Sequence, residues 1–158
     1  LETQFDWKGV SIDYNSELVD QFFKERKNTV FCLDATTADF AGLIKMTNLG
    51  TDIDYLQLDC DPAVTTFEIL KRIPFDTHRF AVITFEHDHY TGAGVRDESR
   101  KYLKSKGYTL VVSDIAHNMT DSYEDWWVHP DLVDAKIIKK MKAVSKEPKF
   151  CKDYMLPN

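Results

Sequence analysis

The sequence predicts an α/β fold built on a mostly parallel sheet with helices on both faces. Three observations carry that expectation. Short apolar runs alternate with amphipathic stretches along the chain, the rhythm of strand–helix–strand units. The runs read as strands are nearly continuous in apolar residues, as in residues 80–85 (FAVITF), which fits strands buried on both faces. Four successive strand ends carry an acid, Asp13, Asp34, Asp59 and Glu86, and in open α/β sheets ligands bind beyond the carboxyl ends of the strands.

The elements follow in order. Residues 7–14 (WKGVSIDY) read as a strand ending in an acid. Ser16 is the expected cap of a helix over 17–26, with Leu18, Val19, Phe22 and Phe23 as its apolar face. Residues 29–33 form a second strand, followed by Asp34, Ala35 and Thr36. A partly helical connection through 40–46 leads to a third strand at 53–58. Asp61 and Pro62 are a suitable cap and first-turn pair for a helix over 62–72. The strand at 80–85 runs into Glu86-His87-Asp88-His89. A helix over 96–106 stops at Gly107, a strand occupies 108–113, and residues 123–128 offer another. Pro130 opens a last helix over 131–144, and 145–158 read as an irregular tail.

With 158 residues the chain suits one domain. Its 43% hydrophobic and 29% charged residues are those of an ordinary globular protein. The net charge of -6 argues against nucleic acid or an anionic membrane as partner. Lys136, Lys139, Lys140, Lys142, Lys146 and Lys149 cluster near the end and read as a solvated face. No apolar stretch approaches a membrane span. Cys32, Cys60 and Cys151 lack metal-ligand spacing. The first two read as small core residues in a reducing, cytoplasmic setting. The chain begins at Leu1 rather than at an initiator methionine, so the expectation is of a copy whose natural N-terminus lies upstream.

The ordered set FDWKGVSIDYNSELVDQF, VFCLDAT, IDYLQLDCDPAVTTFEILKRIPFDTHRFAVITFEHD and RDESRKYLKSKGY resembles the FkbM-type methyltransferases, which depend on S-adenosylmethionine (SAM). The resemblance covers about residues 5–112 and is most specific over 53–88. It implies a Rossmann-like class I methyltransferase fold and SAM as cofactor. By position it implies that Asp13 takes the ribose hydroxyls, since a carboxylate accepts two hydrogen bonds. It places Asp34 and the Ala35 backbone at the adenine and Asp59 beside the methyl-transfer centre. Glu86 and His87 face the same mouth.

The methyl acceptor is then a small molecule such as a sugar, reacting through oxygen. His87 is the expected general base, with Glu86 or Asp59 orienting it. Asp59, Glu86 and Asp88 also offer the oxygen ligands by which a magnesium ion would hold acceptor hydroxyls. The same carboxylates have plainer readings: Asp13 as a cap of the following helix, Asp34 as a turn cap through Thr36 and Thr37, Asp61 as a helix cap. Tyr123, Trp126 and Trp127 could line an acceptor pocket or simply pack.

The pattern also departs from the family. Such a domain opens with a strand and a glycine-rich turn in the centre of its sheet, between the strands at 7–14 and 53–58, and residues 1–6 are too short and polar to supply them. Gly92-Ala93-Gly94 follows the wrong strand and reads as an acceptor-side loop. The expectation is of an incomplete domain, whose sheet a second copy of the chain could complete. Two other classes compete. A catalytically inactive binding or scaffold module would share the same fold. The stretch ITFEHDHYTGAG has a superficial likeness to the histidine-rich loop of metallo-β-lactamase-type hydrolases, but Phe85, His89 and Tyr90 stand where that loop needs its other ligands.

Overall fold

The computed structural model describes residues 2–92, 94–118, 120–144 and 149–150. In chain order the elements are α1 (Glu2–Phe5), β1 (Val10–Asp13), α2 (Ser16–Glu25), β2 (Thr29–Cys32), α3 (Phe40–Met46), β3 (Asp52–Leu58), α4 (Ala63–Arg72) and β4 (Arg79–Glu86). After a 3-10 turn (His89–Thr91) come α5 (Val95–Ser105), β5 (Thr109–Ala116), β6 (Ser122–Val128), α6 (Ala135–Val144) and β7 (Lys149–Phe150). The fold is α/β, as the alternation predicts.

The sheet is not mostly parallel, which corrects the expectation. β1 and β2 form a separate two-stranded parallel sheet. The larger sheet has the order β3-β4-β6-β5-β7. β3 pairs with β4 in parallel, but β6 runs antiparallel to both β4 and β5. The cause is the connection: residues 117–121 between β5 and β6 are too few for a crossover, so the two strands meet as a hairpin. β7 then adds to β5 in parallel.

Helices cover both faces of the larger sheet. Ile83, Phe85 and Trp127, all fully buried, meet Ile69 and Leu70 of α4 and Leu103 of α5 on one side. Val112, Ile115 and Val128 carry Ile138 and Met141 of α6 on the other. Neighbouring strand residues point to opposite faces, which is why Trp127 and Val128 serve different layers. The start of β4 is fixed by Tyr108, whose hydroxyl accepts the amide of Phe80 at 3.0 Å.

Several local expectations are corrected. Asn15, not Ser16, caps α2: its Oδ1 accepts the amides of Glu17 and Leu18. Of the apolar face of α2 only Val19 is buried, while Leu18 and Phe23 are exposed. Cys32 is exposed, because β2 belongs to a small two-stranded sheet rather than to a core, and Cys60, in the loop after β3, is half-buried. Asp61 does not cap α4; the N-cap is Pro62, without a side-chain hydrogen bond. The last helix starts at Ala135 rather than at 131. Of the expected tail, residues 145–148 and 151–158, with Lys146 and Cys151, lie outside the described residues, as does Ala93 of the expected loop.

Candidate functional site

The carboxyl ends of β1, β3 and β4 bring acids together around Cys60. Burial raises the Cys60 thiol above its usual range, and the charges of Asp59, Asp13 and Glu86 raise it further. Thr66, fully buried on α4, fixes this turn: its hydroxyl accepts the Cys60 amide and donates to the Cys60 carbonyl, at 3.0 and 2.6 Å. The loop 59–61 is thereby tied to the first turns of α4, with Asp59 and Asp61 exposed on either side of Cys60.

Glu86 is the most perturbed carboxyl of the group. Its pKa is pushed up to about 8 by burial, then by a hydrogen bond with Asp59 and by the charges of Asp59, Asp88 and Asp61. A hydrogen bond between two carboxyls needs a proton on one of them, and the burial of Glu86 favours its neutral form. Asp88 is buried at 5% exposure; burial raises its pKa, opposed by a hydrogen bond from Tyr90. Across the sheet Glu86 stands opposite Glu124, whose pKa burial also raises and whose Oε1 accepts the indole N–H of Trp126 at 2.5 Å. Like charges in register repel, which adds to the pressure on this pair to hold a proton. One oxygen each from Asp61, Glu86 and Asp88 lie within 4.8 Å of one another, a spacing that a hard divalent cation could bridge.

The remaining expected site residues sit differently. Asp13 is half-buried at the end of β1, and its Oδ1 accepts the amide of Asn15 at 2.8 Å. It thus braces the residue that caps α2. Asp34 is exposed and closes a turn, its Oδ1 accepting the amide and hydroxyl of Thr36 at 2.8 and 2.7 Å. Those bonds lower its pKa, with a smaller contribution from the charge of Arg72. Ala35 packs against the main core. An open groove of about 550 Å³ beside this turn is lined by Thr36, Val64, Thr65, Glu68, Lys71 and Arg72. It shares no residue with the acidic mouth, and its Lys71 and Glu68 already pair with each other at 2.6 Å.

No family model, curated protein or solved structure matches this chain.

His87 lies between Glu86 and Asp88 in sequence but turns to the opposite side. Its side chain is fully buried, with Nε2 at 3.4 Å from Oδ1 of the fully buried Asp125. Arg100 donates Nε to Asp125 Oδ2 at 2.7 Å and Nη2 to Oδ1 at 2.8 Å. Burial alone would raise Asp125, but these bonds, His87 and the guanidinium charge hold it down at about 2. Trp127 is fully buried and the Tyr123 ring stacks on His117 with centroids 4.2 Å apart; Trp126 reaches the acidic mouth through its bond to Glu124. The sequence reading missed Glu124 and Arg100. Glu124 becomes visible only when the antiparallel register is known. Arg100 had a signal in its spacing from Arg96, since residues four apart share a helix face.

Among the described residues no helix is long and apolar enough to cross a membrane.

Proposed function

We propose that the chain is part of a SAM-dependent methyltransferase domain of the FkbM type, acting on an oxygen of a small-molecule acceptor. The observation that carries this reading is the break in the sheet. β1 and β2 pair apart from the larger sheet, and β3 is its edge strand. The resemblance calls for one further strand between β1 and β3, and the absence of pairing between those two strands among the described residues supports it. The acids Asp13, Asp59 and Glu86 nevertheless converge around Cys60.

The residues fit such a cofactor in part. A mouth rich in carboxylates suits a positively charged sulfonium, and Arg96 and Arg100 are turned away to Asp114 and Asp125. The backbone amides for the methionine end would come from outside the described residues. In this reading Asp13 takes the ribose hydroxyls, Asp34 and Ala35 border the adenine, and Asp59 lies beside the reacting centre. SAM, when bound, supplies an electrophilic methyl group. The general base is Glu86, because its carboxyl titrates near the range where a base works, whereas the His87 ring is buried against Asp125.

Calorimetric titration with S-adenosylhomocysteine tests the reading. The expected result is saturable binding by the folded chain that is lost in Asp13→Ala while that variant keeps the far-ultraviolet circular dichroism of the wild type. A folded wild-type chain that gives no saturable heat refutes a cofactor site formed by these residues alone.

A further inference from the structure

The buried titratable groups that this chemistry leaves unused form one network behind the mouth. His87 Nδ1 accepts the amide of His89 at 3.2 Å. An accepting ring nitrogen carries no proton, so the ring proton sits on Nε2. Among the described residues that nitrogen has no other hydrogen-bond partner, and it points at Asp125 Oδ1, 3.4 Å away, a separation that a shift of a few tenths of an ångström turns into a hydrogen bond. Asp125 is itself immobilised. Besides its two bonds from Arg100, its Oδ1 accepts the amide of Asp114 at 2.9 Å. Arg100 Nη2 also reaches Asp114 Oδ2 at 2.8 Å, and Arg96 Nη1 reaches Asp114 Oδ1 at 3.1 Å.

Ligand atoms of His87, Asp114 and Asp125 lie within 4.8 Å of one another, yet this is not a cation site. The two guanidinium groups already balance the two carboxylates, and a divalent ion would add uncompensated positive charge in a buried place. What the network does instead is join β4, α5, β5 and β6 at the point where β4 gives way to the acidic loop. That loop needs restraint. Asp88 adopts φ 40°, ψ 53°, a left-handed conformation that a non-glycine residue keeps only when its surroundings impose it. The amides of His87 and Asp88 both donate to the carbonyl of Tyr123, at 2.6 and 3.1 Å. The His87 ring supplies the side-chain anchor of the same segment.

We propose that Asp125 is a positioning residue, which holds His87 as its Nε2–H tautomer and thereby fixes the backbone that aims Glu86 and Asp88 into the mouth. Its use in catalysis rests on the methyltransferase reading; the tautomer and the restraint do not.

Long-range proton–nitrogen NMR of the histidine rings, with amide exchange, tests it on the whole chain. The wild-type protein should show His87 protonated at Nε2 and unprotonated at Nδ1. In Asp125→Ala the oxygen facing His87 Nε2 is gone, so the ring signature should change. The amides of His87 and Asp88 should then exchange about tenfold faster. A wild-type His87 protonated at Nδ1 overturns the proposal, and that result needs no variant to fold. A folded Asp125→Ala with the His87 signature and both exchange rates unchanged overturns it as well. Neither readout depends on S-adenosylhomocysteine binding, so failure here and failure of the methyltransferase reading are separate outcomes.

Discussion

Replacing Glu86 by glutamine removes the charge that the acidic mouth tolerates least. In the folded chain the Glu86 carboxyl is pushed from 4.5 up to about 8, first by burial, then by Asp59, Asp88 and Asp61. The native state therefore holds this proton between about pH 4.5 and pH 8 while the unfolded chain has released it. With more protons bound in the native state, stability falls as pH rises through that window. At about 1.4 kcal/mol per pH unit the ceiling is about 5 kcal/mol. Glu86 is only half-buried, and solvent screening reduces the effect to about 1–2 kcal/mol. Below about pH 4.5 both states are protonated and the group contributes nothing. Glu86→Gln should match the wild type near pH 4.5 and exceed it by about 1–2 kcal/mol at pH 9 in urea unfolding. Stability curves for the two proteins that run parallel from pH 4.5 to 9 would refute the argument.

Two other substitutions test the parts that hold the site. Arg100→Ala leaves the buried Asp125 carboxylate without its main partner, and should cost about 3–5 kcal/mol at neutral pH. In denaturant titrations the deficit should shrink as the solution is acidified and Asp125 takes up a proton. Asn15→Ala removes the only side chain that caps α2 and should cost about 1 kcal/mol by the same measurement. A neutral result would show that the cap is replaced by solvent.

The parts legible in the sequence are those whose signals are local. β3, α4 and β4 appear within two residues of their expected ends because apolar runs are bounded there by Asp59, by Pro62 and by the turn at 74–78. Likewise α5 stops before Gly107, which takes φ 88°, as a glycine just past a helix does. Strand direction is not local. The SYEDWWV run carries no mark of being antiparallel; that follows from the link at 117–121, whose length emerges only once both strand ends are fixed. Apolar periodicity was a false guide in α2, where Leu18 and Phe23 fit a buried stripe yet remain exposed.

Within the site, the strand-end acids Asp13, Asp59 and Glu86 were legible as a set because a shared position on the fold placed them. Asp34 was grouped with them for the same reason, but its carboxylate closes its own turn with Thr36. The direction of the His87 ring was not legible, since it depends on Asp125 from a strand 38 positions later in the chain, an approach that no local pattern encodes.

The separation of the β1–β2 pair from the larger sheet has a consequence for how the chain unfolds. β1, α2 and β2 make their substantial contacts with one another, so this unit can open as a cooperative segment of its own. The tryptophans divide along the same line. Trp7, partly exposed, precedes β1, whereas Trp126 and Trp127 sit on β6. Fluorescence from Trp126 and Trp127 follows the larger sheet, and a Trp7→Phe variant isolates it. With Trp7 in place, the emission would sum a separate opening of the β1–β2 unit with the unfolding of the larger sheet, and a single midpoint would average over both.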